Sequence, residues 1–166
     1  MNVIIEEIQS KINSKIYLDY NMGKSTWFRT GGNAKGFTTV ESLKDLKTLV
    51  NYRDKIKYYI VGLGSNLLVR DVGFNGLIIK LGKNFNKIEI KKNILSAGSA
   101  VLDFNLARFA KENSIKDFEF FRGIPGTIGG AIKMNAGCYG SETRDNLRSV
   151  LILDKYGSLQ NIDVNK

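Results

Sequence analysis

Two glycine-rich stretches hold most of the residues whose types and spacing can do chemistry. In Val61-Gly62-Leu63-Gly64-Ser65-Asn66-Leu67-Leu68-Val69, an apolar run enters a loop with two glycines, a serine and an asparagine. Glycine lets a backbone take positive φ and come close to a ligand. Successive N–H groups in such a loop converge on an anion, and Ser65 and Asn66 add side-chain donors. That chemistry suits a pyrophosphate, although a plain tight turn between strands would use the same residues. Two common phosphate loops are excluded. Leu67 stands where the third glycine of G-x-G-x-x-G belongs, and no G-K-[ST] follows.

The second stretch runs Gly123-Ile124-Pro125-Gly126-Thr127-Ile128-Gly129-Gly130-Ala131-Ile132-Lys133-Met134-Asn135-Ala136-Gly137-Cys138-Tyr139-Gly140 and contains the chain's one proline. Pro125-Gly126 marks a turn. Thr127 is expected to cap a short helix whose first turn holds Gly129-Gly130. Each glycine costs a helix about 1 kcal/mol relative to alanine. Such a cost is borne where a ligand or a strand must pack on bare backbone, and a helix N-terminus offers N–H groups to phosphate. A third stretch, Ser25-Thr26-Trp27-Phe28-Arg29-Thr30-Gly31-Gly32-Asn33-Ala34, sets an aromatic pair and an arginine before a Gly-Gly turn. Read alone, Trp27 and Phe28 suit a core and Arg29 a surface cation.

The remaining composition removes whole classes of chemistry. There is no histidine, so neither a Ser-His triad nor a His-bearing metal site fits this chain. Cys138 is the sole cysteine, which rules out an internal disulfide and a CxxC pair. No metal site is expected. The net charge is +9, but the lysines are scattered and form no long basic run, so no nucleic-acid partner is expected. The first residues, MNVIIEEIQSKINSK, are too charged for a signal peptide. No apolar run nears the ~18 residues that span a bilayer. A cytoplasmic protein with no membrane partner is expected.

The elements that position these stretches follow from periodicity. Residues 3–15 read as an amphipathic helix with Val3, Ile4, Ile8 and Ile12 on one face. Residues 35–40 read as a strand, and Ser42 as the N-cap of a helix with Asp45 three residues on. That helix points Leu43, Leu46, Leu49 and Val50 inward. Tyr58–Val61, Leu67–Val69, Leu77–Leu81, Ile88–Ile90 and Ile94–Ala97 read as strands. Gly73, Asn75-Gly76, Gly82 and Lys92-Asn93 separate the later ones as turns. A helix over 100–112 points Leu102, Leu106, Phe109 and Ala110 inward, and Val150–Leu153 with Leu159–Val164 forms a hairpin. The class is α+β, with one subdomain over 1–75 and a second over 76–166.

The three stretches together resemble the UDP-N-acetylenolpyruvoylglucosamine reductases. T-W-F-R-T-G-G-N-A, G-x-G-S-N-L-L-V-R-D and G-I-P-G-T-I-G-G-A-I-x-M-N-A-G-x-Y-G occur here in that family's order, over about Asn21 to Asp154. The resemblance implies the p-cresol methylhydroxylase-type FAD-binding fold, which holds FAD between two α+β subdomains. It implies cofactor contacts from Val61, Gly62, Leu63, Gly64, Ser65, Asn66 and Leu67, with the pyrophosphate near 62–67. Ile124, Pro125, Gly126, Thr127, Gly129, Gly130, Ala131, Asn135, Ala136 and Gly137 are implied to line the same site, and Gly98 and Ser99 lie where the fold often touches the cofactor.

It further implies non-covalent FAD, NADPH as hydride source, and a UDP-linked enolpyruvyl amino sugar reduced to UDP-N-acetylmuramate for peptidoglycan. A related oxidase or dehydrogenase of the same fold is the alternative; such proteins commonly tether flavin through a histidine or cysteine, no histidine is present, and Cys138 reads as small packing because the reductase family binds FAD non-covalently. The family's catalytic residues, a Tyr-Arg pair and then a Ser and a Glu in a third, substrate-binding domain, have no match before Lys166, and Tyr52-Arg53 lies in the wrong context. No catalytic residue is assigned. The 166-residue chain alone is expected to give only background NADPH oxidation at the cofactor's absorbance band when the UDP-sugar is added. Substrate-dependent turnover would show that the catalytic set has been misplaced.

Overall fold

The computed structural model describes residues 2–164. They form two compact units. Residues up to Gly82, with Ile152–Gln160, make the first, and Lys83–Leu151, with the described residues from Asn161 on, make the second. The turn residues place a boundary after position 75, but a single strand runs from Phe74 to Leu81 and carries the first unit through to Gly82.

The first unit opens with α1 (Asn2–Gln9) and β1 (Ile16–Asn21). The expected helix over 3–15 is therefore cut short. Its buried face is Ile5 and Ile8, with Ile12 buried beyond its end, while Val3 is 77% exposed. Residues 16–21 pair antiparallel with β2 (Asn33–Val40), from Ile16 opposite Thr38 to Asn21 opposite Asn33. β1 is an edge strand with five of its six residues at least partly exposed, so it lacks the alternation that marks a half-buried strand.

α2 (Leu43–Val50) starts as its cap predicts, with the Asp45 amide donating to Ser42 Oγ at 3.0 Å. The Asp45 side chain is buried and turns to the preceding loop. There it accepts from the Asn13 amide (3.1 Å), the Ser14 amide (2.8 Å) and the Ser14 hydroxyl (2.7 Å). Burial opposes ionisation of Asp45, yet the Ser14, Asn13 and Ser42 hydrogen bonds hold its pKa below the ordinary value. Leu46, Leu49 and Val50 are buried as expected, whereas Leu43 is 37% exposed.

β3 (Tyr58–Val61) and β4 (Phe74–Leu81) complete a four-stranded sheet in the order β1-β2-β4-β3, with β4 parallel to both neighbours. Asn75-Gly76, expected as a turn, lies inside β4. A Cβ on Gly76 would come 2.4 Å from the Lys57 carbonyl, so close backbone approach accounts for this glycine. The turn is at Gly73, whose φ is +75°. Leu67–Val69 is irregular rather than a strand. Leu67 and Val69 instead pack on a core of Met22, Ala34, Phe37, Val61 and Ile78.

In the second unit β5 (Ile88–Lys91) and β6 (Ile94–Ala97) form a hairpin across Lys92-Asn93. Both turn residues have positive φ, as a two-residue hairpin turn demands. α3 (Asp103–Glu112) begins three residues later than expected, because Val101 and Leu102 run extended against Thr127 and Ile128. α4 (Ile128–Met134) follows, then the short ribbon of β7 (Gly137–Cys138) and β8 (Ser141–Glu142) and the turn-long α5 (Thr143–Asn146); in the closing hairpin, β9 (Ser149–Leu153) paired with β10 (Leu159–Asp163), residues Ile152–Gln160 belong to the first unit. Val101, Leu106, Ala107, Phe120, Phe121, Ile128 and Ala131 form this unit's core, with Cys138 packed against it. Ala107 thus takes the inward place expected of Phe109, which is only half-buried. Among the described residues, no helix is long and apolar enough to cross a membrane.

Candidate functional site

The loop after β3 is held open by contacts behind it. Gly64 has φ +73°, and a Cβ there would lie 2.2 Å from the Ser25 carbonyl oxygen. The Trp27 amide donates to the Gly64 carbonyl at 3.0 Å. The structure therefore brings the stretch 25–34 and the loop 61–69 together, two motifs that sequence reasoning could only consider separately. The clamp continues along both. The Gly32 amide donates to the Arg70 carbonyl at 3.1 Å, and a Cβ on Gly31 would reach Val69 Cβ at 2.7 Å. Ser25 is fixed in turn by the Tyr20 hydroxyl at 2.9 Å, and Tyr20 stacks on Phe37 in the core.

What this clamp leaves free is the outer side of the loop. Among the described residues, the Gly64, Ser65 and Asn66 amides donate to no backbone carbonyl. The Ser65 hydroxyl and Asn66 carboxamide likewise have no hydrogen-bond partner there. These are unspent donors on consecutive residues, with a left-handed glycine at their head. Val61 is buried and Leu67 packs on the core, so both ends of the loop are anchored.

The second unit assigns its glycine-rich residues more varied work. Thr127 caps α4 as expected, its hydroxyl accepting from the Gly130 amide at 3.4 Å. The expectation of free amides at that helix start is not met. The Ile128 amide donates to the Val101 carbonyl and the Gly129 amide to the Ser99 carbonyl, both at 2.9 Å. Gly129 is tightly packed, since its Cβ would sit 3.0 Å from Ser99. Gly98 is likewise pressed on the Phe85 carbonyl. Gly130 differs: a Cβ there would meet only Thr127 Oγ1, at 3.5 Å, so no packing demand explains it.

Beyond α4 the implied residues brace the backbone. Asn135 ends the helix with φ +45°, and its Oδ1 accepts from the Arg144 amide at 3.1 Å. The Ala136 carbonyl accepts from both the amide and the hydroxyl of Thr143. A Cβ on Gly137 would come 2.8 Å from the Ser141 carbonyl. Ile124 is partly buried against the second core, and Ala131 lies within it. Pro125 is exposed.

One residue beside this segment escaped sequence reasoning. Asp103 is fully buried, and neither carboxyl oxygen has a hydrogen-bond partner among the described residues. Its Oδ2 lies 2.7 Å from where a Cβ on Gly126 would be, and its amide donates to the Gly126 carbonyl at 3.1 Å. Burial pushes its pKa up to about 7. An aspartate in a first helical turn reads from sequence as a favourable dipole partner, so nothing in the pattern signals its burial. Trp27 and Phe28 are a second departure. They suit a core by type, yet are 59% and 60% exposed.

Comparison with known proteins bears on both units. Residues 34–163 match the model of a family described as FAD binding domain. The chain is 47% identical over 167 residues to the UDP-N-acetylenolpyruvoylglucosamine reductase of Pelagibacter ubique, covering 98% of this chain and 55% of the relative, so it spans about half that protein's length. The crystal structure of the Thermus caldophilus enzyme named UDP-N-acetylenolpyruvylglucosamine reductase superposes with TM-score 0.77 at 29% identity, over 92% of this chain and 53% of that one. The 6-hydroxy-D-nicotine oxidase of Arthrobacter nicotinovorans, at 16% identity and TM-score 0.66 over 93% of this chain and 37% of its own, shares the fold alone. The α+β architecture is that of the p-cresol methylhydroxylase-type flavoproteins. With that family's model matching residues 34–163 of its 166, this chain belongs to the FAD binding domain family.

Proposed function

We propose that this chain is the FAD-binding part of a cytoplasmic, NADPH-dependent reductase that converts UDP-N-acetylglucosamine enolpyruvate to UDP-N-acetylmuramate. The observation that carries this reading is the donor set of Gly64, Ser65 and Asn66, free among the described residues and anchored from behind by Ser25 and Trp27. In the first unit Val61, Gly62, Leu63, Gly64, Ser65, Asn66 and Leu67 would hold the pyrophosphate. In the second, the bare Gly130 face offers close backbone approach, with Pro125, Gly126 and Thr127 in the turn that leads into it. Ile124, Gly129, Ala131, Asn135, Ala136 and Gly137 keep that segment in shape. When bound, the flavin supplies the hydride chemistry. The protein's residues bind and orient it. The UDP-linked substrate class is proposed from the relatives' names.

The test is a thermal melt of the purified chain with FAD, AMP or riboflavin, alongside flavin absorbance. A ligand 100-fold above its Kd stabilises the native state by about 2.7 kcal/mol. For a chain of this size that is a rise on the order of 5 °C. FAD is expected to shift the melt further than either fragment, because only FAD presents the linked pyrophosphate. Identical melts with all three at saturation would return the loop to a plain turn.

A further inference from the structure

We propose that Trp27 is a ligand-contacting residue, a stacking face for a planar heteroaromatic ring of the dinucleotide whose pyrophosphate the neighbouring loop holds. The inference rests on the FAD-binding reading and adds to it a recognition residue outside both glycine-rich motifs. Trp27 and Phe28 are the two central residues of a turn closed by the Arg29 amide donating to the Thr26 carbonyl at 3.2 Å. Such positions favour Pro, Asn, Asp, Ser or Gly. Two large aromatics held 59% and 60% exposed there give the fold less than half of the burial their size could supply. Their place is nevertheless tightly set. The Trp27 amide is bonded to the Gly64 carbonyl, the Thr26 hydroxyl donates to the Thr30 carbonyl at 2.9 Å, and Arg29 closes the turn at φ +55°. The backbone of an exposed tryptophan is thereby tied to the residue that begins the free donor set.

The occupant follows from this juxtaposition. Phosphate oxygens at Gly64–Asn66 bring with them whatever is esterified to them. In a flavin dinucleotide a planar ring lies at each end of that linkage. Stacking of a nucleotide base on an aromatic face suits an exposed indole because every base offers a π-face. The residue is easily read, since Trp27 is the only tryptophan of the chain.

The experiment titrates the chain with FAD, ADP and FMN, following tryptophan emission together with affinity by calorimetry, in the wild type, Trp27→Ala and Trp27→Phe. ADP does not absorb where tryptophan emits, so quenching by ADP reports contact with the adenine. FMN quenches by energy transfer at a distance as well, so in that arm affinity is the readout. Trp27→Ala is expected to weaken FAD about tenfold, the cost of losing one base-stacking face, with Trp27→Phe recovering most of the loss. The ligand-free melt of both variants should fall by no more than a few degrees, because more than half of the side chain is exposed. A loss confined to ADP assigns the adenine end, and a loss confined to FMN assigns the isoalloxazine end. FAD affinity within twofold of wild type in Trp27→Ala, with no quenching by ADP, overturns the inference and leaves the FAD-binding reading standing. Failure of the wild type to bind FAD at all overturns both.

Discussion

Gly64→Val is expected to destabilise the ligand-free protein by about 2–4 kcal/mol, before any cofactor is added. Holding a non-glycine residue at left-handed φ costs about 1–3 kcal/mol, and a β-branched side chain lies at the upper end. The new Cβ would also lie 2.2 Å from the Ser25 carbonyl oxygen and 3.1 Å from Thr26 Cα. Both are backbone atoms of a segment tied down through Tyr20, so neither swings aside cheaply. Any retreat of Ser25 strains the hydrogen bond from the Trp27 amide to Gly64, a net contribution of about 0.5–1.5 kcal/mol.

Urea unfolding of the free variant against wild type reads this directly. An unchanged midpoint would mean that the loop is not clamped as described. The expectation also separates structure from binding. A loss of FAD affinity in Gly64→Val reports a distorted loop, and only secondarily a blocked phosphate. Ser65→Ala and Asn66→Ala are the cleaner probes of the ligand, because those side chains have no partner among the described residues. Their free stability should be unchanged while FAD affinity falls several-fold, about one hydrogen bond each.

The second large effect is expected at Asp103 and depends on pH. The group's pKa rises from an ordinary 3.8 to about 7 in the folded protein. Below pH 4 both folded and unfolded chains are protonated at this site, and it costs nothing. Between pH 4 and 7 the unfolded chain releases the proton while the folded chain keeps it. Stability therefore falls as pH rises, by about 1.4 kcal/mol per pH unit. Above pH 7 both states are ionised and the loss is complete.

Asp103→Asn removes the titration and leaves a side chain of the same shape. The stability of Asp103→Asn relative to wild type should accordingly rise by about 2–3 kcal/mol between pH 5 and pH 8. The carboxylates with lowered pKa values, Glu7, Asp45, Glu89 and Asp154, act in the opposite sense in acid. They are present in both proteins and cancel in the difference. A buried carboxamide without a partner carries its own cost, of about 1–3 kcal/mol, but that cost does not vary with pH. A difference that stays flat from pH 5 to 8 would mean that the Asp103 carboxyl is solvated or paired in solution.

Features held together within a few residues were legible in the sequence. Ser42 and Thr127 cap the helices they precede, because an N-cap bond closes over three residues. Lys92-Asn93 turns the β5–β6 hairpin, and the last hairpin closes between Leu153 and Leu159 as its strand pattern predicts. The two glycine-rich stretches and the recognisable family pattern also belong here, since glycine announces close backbone approach wherever it occurs. The sequence did not say what approaches. At Gly129 it is the backbone of Ser99, thirty residues back, and at Gly64 it is Ser25, thirty-nine residues back. Only the tertiary structure could decide which amides were already spent. It took those of Ile128 and Gly129 for the carbonyls of Val101 and Ser99, and left those of Gly64, Ser65 and Asn66 free among the described residues.

β1 was missed for the same reason. Its pairing with β2 spans more than ten residues, and as an edge strand it buries too little to show a period. Residue type likewise misjudged Trp27, Phe28 and Asp103, two aromatics left in solvent and a carboxylate sealed from it. Hydrophobicity is a property of the side chain, whereas burial is a property of the place the rest of the chain builds around it. Where the two disagree, the sequence by itself carries the residue but not its surroundings, and it is the surroundings that set a pKa or expose an aromatic face.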